Sequence, residues 1–415
     1  MCVFHMEELK VDLNGVNRRI ASWRERRNLT QEEFGTHMGR SRSWVQKLES
    51  GHRQLDPRIS VLEQACKVLD IPLEALLSDQ SSDNAEKCVD AAEVVVIKEA
   101  FHRYDVISGN YSEATAPVDI NLLKRQAAYG WDAFQAAHYS AIGRLLPALI
   151  VNAGSAVQAT DGTNRLAALR HAALVYQLAC AVLVKFSDAA TASIAAHHAV
   201  TSAERSGDPI TIAASIRQLV HAFLAGQQVE SAIEIAVAAQ GRLYSALLQE
   251  GEAGISVYGM LLLKAAVAAA DADDAPLATE LIDESSSLAT QLGRDSNIMW
   301  TGYGPTNCLL HRVSTHVQLQ DGEAALSAAQ AIDPGAFDSL PRERRAAHTI
   351  DLAHSHALVG KTDQALTALL AGERLAPQEV HCRPHAHKVI TRLLRAPGTV
   401  SPRLRALATR AGAAA

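Results

Sequence analysis

The sequence predicts an all-α protein in which a small N-terminal domain of five short helices precedes a long helical repeat. Alanine and leucine dominate the 415-residue chain, and only 5% of its residues are aromatic. A β-rich fold would use more aromatic and β-branched residues. Apolar residues also recur at helical spacing through most of the chain. The length exceeds what one hydrophobic core usually organises, so several domains or an elongated array are expected.

The charge distribution separates a basic front from an acidic body. Residues 14–78 carry 11 Lys or Arg and 8 Asp or Glu, a net charge of +3, and the rest of the chain carries −9. This asymmetry indicates that one small module meets phosphate while the remainder has another task. The domains are expected to be an N-terminal extension (1–13), a DNA-binding domain (14–77), a linker (78–91), a repeat region (92–400) and a C-terminal tail (401–415).

Composition also bears on the cellular compartment. The six cysteines are scattered without a CxxC pair, which favours a reduced, cytoplasmic protein. The N-terminus has acidic residues where a signal peptide needs basic ones, and no uninterrupted apolar run approaches the roughly 18 residues of a membrane span. We therefore expect neither a signal peptide nor a transmembrane helix.

The helices of the basic segment have recognisable beginnings and ends. Thr30 followed by Glu33 is a capping-box pattern, which satisfies free backbone donors at the start of a second helix. Gly39 should end that helix, because glycine adopts a left-handed backbone conformation at little cost. Ser41 then caps a third helix that runs to about Ser50. One helix precedes these two, and two more follow before residue 77.

The body is predicted to consist of stacked helical pairs. Equivalent turns align at Ser187, Gly226, Asp273, Gln320 and Gly360, at intervals of 39 to 47 residues. Five positions after each turn stands a small residue: Ala192, Ser231, Ala278, Ala325 and Ala365. Small residues there allow close packing of antiparallel helices. The pattern resembles the tetratricopeptide repeat over about residues 175–377, which implies an α-solenoid with a concave binding surface. A generic helical bundle is the alternative.

The segment from Thr30 to Arg53 matches a helix-turn-helix. Gly35 lets two helices cross closely and Gly39 makes the turn, while the apolar residues at helical spacing are Phe34, Met38, Val45 and Leu48. The match over about residues 14–77 resembles the λ-repressor and Cro-like, or XRE-type, DNA-binding domain. That resemblance implies sequence-specific binding to double-stranded operator DNA.

The resemblance assigns a role to individual side chains. It implies a phosphate contact by Gln31 at the start of the second helix. It implies base contacts by Arg42 and Ser43 at the front of the third helix, with Gln46 and Lys47 one turn further along, and backbone contacts by Ser50 and Arg53. An Arg can form two hydrogen bonds with guanine, whereas phosphate contacts fix register without reading sequence. The resemblance also pairs Arg24 with Glu49 as a bridge between the first and third helices.

Two positions depart from that family's pattern. Arg40 stands where the family usually has an apolar residue just after the turn. Trp44 is large for a residue that faces a DNA groove. It either packs on the sugar-phosphate backbone, and so belongs to the DNA-binding set, or covers the edge of the core.

A second cluster, between Asn297 and His311, suggests an effector site. Gly302, Gly304 and Pro305 predict a tight turn there between two helices. Bacterial regulators that resemble this chain often bind a peptide or small effector in the groove of the array. The candidate residues are Gln177, Trp300, Tyr303, Asn307, His311, Ser314, Gln318 and His354. The alternative is a capped turn with an aromatic core anchor.

Motifs for other chemistry are weak. The GKT triplet at 360–362 lacks the upstream glycine of a phosphate loop. The histidine-rich stretch 381–387 is interrupted by Pro384 and has no partner cluster. We expect no metal site, no cofactor and no enzyme activity.

Together these features predict a cytoplasmic transcription regulator. Its array would sense a peptide or small-molecule effector and support a homodimer that binds a palindromic operator, because one small module makes few DNA contacts. The alternative is an interaction scaffold that recruits a partner protein to DNA.

Overall fold

The structure, a computed structural model, describes residues 15–27, 29–50, 59–71, 73–77, 91–103, 119–397 and 399–413. Those residues are α-helical apart from turns, a short 3₁₀ helix and one isolated bridge between Ser296 and Tyr303. The contacts divide the chain into two compact units, Met1–Ala92 and Glu93–Ala415. The predicted all-α fold class is confirmed. The expected extension, most of the linker and Arg53 lie outside the described residues.

The described residues of the N-terminal unit form five helices before residue 78, as predicted. They are α1 (Val16–Arg26), α2 (Gln31–His37), α3 (Arg42–Glu49), α4 (Ile59–Leu69) and α5 (Glu74–Leu77). The capping box of Thr30 and Glu33 is complete, and the Ser41 side chain accepts a hydrogen bond from the Trp44 amide. Gly39 has a φ of +63°, the left-handed conformation expected of it.

The core of this unit holds α2 and α3 at a fixed angle. Phe34, Val45 and Leu48 are buried in it. A Cβ atom at Gly35 would lie 2.9 Å from the Arg40 carbonyl oxygen and 3.3 Å from Val45 Cγ2. Only glycine therefore permits this close crossing without displacing the backbone.

The C-terminal unit continues the helix series. Its helices are α6 (Ala91–His102), α7 (Ile120–Gln135), α8 (Tyr139–Gln158), α9 (Gly162–Lys185), α10 (Ala189–Ser206), α11 (Pro209–Ala225), α12 (Val229–Gln249), α13 (Gly251–Asp271), α14 (Ala275–Leu292), α15 (Pro305–Gln318), α16 (Gly322–Ala329), α17 (Pro334–Ser339), α18 (Arg342–Leu358), α19 (Thr362–Leu375), α20 (Pro377–His381), α21 (Pro384–Leu394) and α22 (Pro402–Arg410). The 3₁₀ helix Ile298–Trp300 lies between α14 and α15.

The predicted repeat register holds at four of its five turns. Ser187, Asp273, Gln320 and Gly360 all have left-handed φ angles between 59° and 76°. In the remaining turn the left-handed residue is Gln227, with φ 59°, one residue later than the predicted Gly226. A non-glycine residue in a short turn can therefore adopt the left-handed conformation when the helices on both sides of the turn are packed in place.

The small-residue position shifts with that turn. Ala192, Ala278, Ala325 and Ala365 are at most 1% exposed, as close packing of the paired helices requires. The predicted fifth member, Ser231, is exposed, and Ala232 beside it is fully buried. The prediction at Ser231 is wrong by one residue, because it was counted five positions from Gly226 and the left-handed turn residue is Gln227.

The predicted C-terminal tail contains a packed helix. Leu404 and Leu407 of α22 are buried in the same apolar cluster as Leu369 of α19 and Val389 of α21. The boundary placed at residue 400 is therefore too early. Apolar residues at helical spacing after Pro402 carry the signal that was missed.

Within the described part of this unit, three helices are long and apolar enough to cross a membrane, judged by length and composition alone: Tyr139–Gln158, Gly162–Lys185 and Gly251–Asp271. Between 56% and 78% of their most apolar windows is buried inside the folded unit. Packing between repeats accounts for their hydropathy. The absence of a membrane span stays a prediction.

Helices from the early and late parts of the C-terminal unit meet. The Tyr139 hydroxyl at the start of α8 donates a hydrogen bond to Glu379 of α20. Lys185, at the end of α9, reaches Glu343 of α18 and Glu379 with Nζ–O distances of 2.7 and 2.6 Å. These contacts join residues 158 to 240 positions apart and close the array around an internal cavity.

Candidate functional sites

Helix α3 presents a polar face to solvent. Arg42, Ser43, Gln46, Lys47 and Ser50 are all exposed, whereas Val45 and Leu48 point into the core. The buried side thus fixes the helix, and its predicted DNA-contacting side chains face the solvent. The structure brings these five residues together on one surface.

Trp44 lies at the edge of that surface. Its ring is half-buried against the apolar core, and the Arg40 guanidinium stands 5.4 Å from the ring centroid. The side chain therefore covers the core edge, which was one of its two possible roles. Arg40 occupies its unusual position after the turn by packing over this ring.

A buried ion pair ties α3 to α1. Arg24 Nε donates to Glu49 Oε1 at 2.5 Å, and Arg24 Nη2 donates to Glu49 Oε2 at 3.0 Å. The hydrogen bond to Glu49 is the main cause that raises the pKa of Arg24. The Gln31 amide also donates to Glu49 Oε2 at 2.8 Å. Gln31 is therefore positioned by the same carboxylate that anchors the recognition helix.

Replacing Arg24 should loosen α3. In Arg24→Met the Glu49 carboxylate loses its bidentate partner, and we expect about 3 kcal/mol less local stability, since an uncompensated buried charge is costly. Amide hydrogen exchange of α1 and α3 in the full chain measures this. The control is Glu25→Gln, because Glu25 also pairs with Arg24 but is 71% exposed. Equal effects of the two variants would contradict the anchoring role.

The second site is a cavity of about 420 Å³ inside the C-terminal unit. Its walls come from α7, α9, α11, α13, α15 and α18, together with residues 383–388. Of the predicted effector residues, Trp300, His311, Ser314 and Gln318 line it. The helical spacing of the last three along α15 is what places them on one wall.

The other four predicted effector residues lie elsewhere. Tyr303 is fully buried and donates to the Ser285 carbonyl at 2.6 Å, so it is the aromatic core anchor of the alternative interpretation. Asn307 is buried and accepts a hydrogen bond from Arg344 at 3.1 Å. Gln177 donates to the Ser215 hydroxyl at 2.8 Å inside the packed helices. His354 lines a separate groove beside α21.

Sequence reasoning missed the charged residues of the cavity. Its deep wall carries the cations Lys185, Arg217, Lys264, Arg344 and Arg383. Several stand alone in apolar helical sequence, such as Lys264 within MLLLKAAV. A single Lys or Arg within an otherwise apolar helix could have indicated a charged cavity, because these side chains are almost never fully buried unless they are paired.

Part of this charge is balanced by buried carboxylates. Lys185 contacts Glu343 and Glu379, and Arg383 Nη1 contacts Glu379 Oε2 at 3.0 Å. Desolvation, the largest influence, would raise the pKa of Glu343, but Lys185 and the neighbouring arginines outweigh it and hold that pKa at about 2. Burial lowers the pKa of His311 to about 3, so its imidazole is neutral at physiological pH.

A strap, residues 294–304, covers one side of the cavity. Asn297 and Gln135 of α7 exchange amide hydrogen bonds of 2.8 and 2.9 Å. Trp300 stacks on Trp131 with ring centroids 6.2 Å apart, and its indole donates to Asp132 at 2.6 Å. Met299 and Trp300 both have a φ of 52°, which is costly for non-glycine residues. The contacts with α7 hold this strained backbone in place.

The packed core, the left-handed turn and the exposed face of α3 together define a helix-turn-helix DNA-binding domain. A family model described as "Helix-turn-helix domain" matches residues 18–78, a small part of the chain. The N-terminal unit is such a domain, which makes the chain a DNA-binding regulator with a C-terminal helical repeat.

Among solved structures, the chain is similar to a crystal structure of Bacillus thuringiensis PlcR in complex with the peptide PapR7 and DNA. The sequences are 14% identical, and the alignment covers 68% of this chain and 96% of that chain with a TM-score of 0.31. A likeness at that score adds nothing to the description of this chain. No curated protein matches it.

Proposed function

We propose that this protein is a sequence-specific transcription regulator of the cytoplasm that binds a palindromic operator as a homodimer and responds to an effector in its repeat unit. The observation that carries this proposal is the exposed polar face of α3, anchored from behind by Val45, Leu48 and the Arg24–Glu49 pair. Such a rigid, solvent-facing helix is what major-groove readout requires.

The cavity supports the effector part of the proposal. Its volume of about 420 Å³ falls within the range of small-molecule sites. Helices from successive repeats line it, so one ligand would contact several repeats at once. A ligand that favours one arrangement of the repeats over another shifts the population between them, and a few kcal/mol is enough.

Selection of bound fragments from a random DNA pool tests the DNA-binding function. The full chain should enrich one motif made of two inverted half-sites, and sedimentation with that DNA should give two chains per duplex. An unenriched pool would contradict sequence-specific binding. A motif without symmetry, bound by one chain, would contradict the homodimer alone.

A scaffold function has one observation in its favour. Val237, Tyr244 and Leu248 are 37–47% exposed and lie at helical spacing on α12. A stoichiometric partner protein retained through these side chains, with DNA binding unaffected by any small molecule, would favour the scaffold.

A further inference from the structure

We propose that the cavity binds a small organic dianion, such as a phosphate monoester, between Arg217 and Lys264. This inference rests on the proposed effector role of the cavity and names the chemical class of the ligand. It is carried by two cations that the protein itself leaves unbalanced.

Arg217 is the first of these cations. Its side chain extends from α11 to the cavity wall, is 6% exposed, and its Nε has no hydrogen-bond partner. Within the described parts of the chain, Arg217 forms no ion pair with any carboxylate. A buried guanidinium without a partner is costly to the folded state, so its retention points to a ligand.

Lys264 is the second cation, from α13. It lines the same cavity and likewise forms no ion pair among the described residues. Burial lowers the pKa of Lys264 to about 7, and Arg344 and Arg217 add to that effect. The positive groups are therefore close enough to repel one another in the empty cavity. An anion between them would remove this repulsion.

Glu343 lies close enough to Arg217 and Lys264 to act on both, but among the described residues no carboxylate forms an ion pair with either cation. Glu343 and Glu379 are taken by Lys185, and Glu379 also pairs with Arg383. Asp351 contacts His385 at 3.3 Å. Asp271 and Lys388 also line the cavity and are exposed. Around the cavity, six cations (Lys185, Arg217, Lys264, Arg344, Arg383 and Lys388) therefore stand against four carboxylates (Asp271, Glu343, Asp351 and Glu379, which lies behind the wall). When Lys264 is protonated, the excess is two positive charges, which matches a dianion.

The remaining lining indicates an organic ligand and not an inorganic ion alone. Phe134, Leu224, Val267, Leu310 and Trp300 supply apolar surface beside the cations. Sites of this kind combine such surface with a few convergent polar groups.

Calorimetric titration of the full chain with phenyl phosphate at pH 7.5 tests the inference. We expect one molecule per chain, with no binding of the neutral analogue phenol or of chloride at equal ionic strength. Arg217→Met and Lys264→Met should weaken binding at least tenfold. The matched control is Arg242→Met, since Arg242 is an exposed arginine paired with Glu204 on the outer surface. No binding by the unaltered chain, or equal weakening by the control, would overturn the proposal.

Thermal unfolding without ligand separates a binding role from a structural one. Arg217→Met removes a buried charge that has no partner, so its midpoint should equal or exceed that of the unaltered chain. A lower midpoint than that of the unaltered chain would show that Arg217 stabilises the fold, and the proposal would fail.

The pH dependence gives a second signature of Lys264. Sulfate, whose charge is constant above pH 4, should bind more weakly as pH rises from 6 to 8.5, because Lys264 loses its proton near 7 in the empty cavity. The charged and titratable groups that face Lys264 are Arg217 and His221 on α11, His311 on α15, Glu343 and Arg344 on α18, and Arg383. His311 stays neutral throughout this range. The slope should flatten in Lys264→Met; an unchanged slope would contradict the assignment.

The two proposals can fail separately. Phenyl phosphate that binds through Arg217 without altering operator affinity would leave the anion site intact and remove its effector role. Operator binding without any anion binding would overturn the inference and leave the DNA-binding function standing.

Discussion

Glu379→Gln should lower the free energy of unfolding of the C-terminal unit by about 3–5 kcal/mol, the cost of breaking a buried ion pair from one side. The Glu379 side chain is fully buried and contacts Lys185 at 2.6 Å, Arg383 at 3.0 Å and the Tyr139 hydroxyl. An amide leaves both cations without this countercharge. Because these contacts join α8 and α9 to α20, the variant should also loosen the closure of the array.

Denaturant unfolding followed by circular dichroism measures this loss. The matched control is Glu252→Gln, because Glu252 pairs with Arg294 on the surface, where both side chains are at least 50% exposed. That variant should cost under about 1 kcal/mol. A loss in Glu379→Gln no larger than in the control would contradict the structural role of the network. The Lys185→Met/Glu379→Leu double variant should recover part of the stability, since it removes a cation together with the carboxylate.

Arg42→Ala should strongly weaken operator recognition while the protein stays folded. Arg42 is exposed at the first turn of α3 and supports no part of the core. Loss of one bidentate base contact costs about 1–3 kcal/mol of discrimination, roughly tenfold to a hundredfold in affinity for the operator over random DNA. Fluorescence anisotropy with the selected operator and a scrambled duplex measures this ratio.

Lys47→Ala should also remain folded and lose sequence-specific binding, because the family resemblance places Lys47 one turn beyond Arg42 on the reading helix. Loss of its positive charge beside the DNA should in addition lower the slope of the salt dependence by about 1. Lys67→Ala on α4 removes an equally exposed cation away from α3 and serves as control. If Arg42→Ala leaves the ratio of operator to scrambled affinity unchanged, the assignment of α3 as the reading helix is wrong.

Local chemistry made the N-terminal unit readable from sequence. The caps and the turn of this unit depend on contacts between residues close in sequence, so they form as the pattern predicts. The residues that form them are Thr30, Glu33, Gly39 and Ser41. The repeat turns were readable for the same reason. The error at Gly226 arose because glycine was favoured where the flanking helices force Gln227 into the left-handed conformation.

The sequence predicted only half of the candidate effector residues at the cavity wall correctly. Helical spacing along α15 placed His311, Ser314 and Gln318 on the cavity wall. Asn307, on the same helix, instead holds Arg344, because Met260 and Arg344 from neighbouring helices enclose it. Periodicity defines a face of a helix, but only the neighbours decide which part of that face remains open.

The sequence by itself determined the two-unit, all-helical plan, the helix-turn-helix and the approximate register of the repeats, because caps, glycines and helical periods are local signals. The tertiary structure alone decided that the array closes and that its cavity is cationic. Lys185, Arg217, Lys264, Arg344 and Arg383 lie on separate elements up to 198 positions apart in the sequence. Long-range packing brings their charges together, and no pattern of neighbouring residues in the sequence predicts that these five side chains line one cavity.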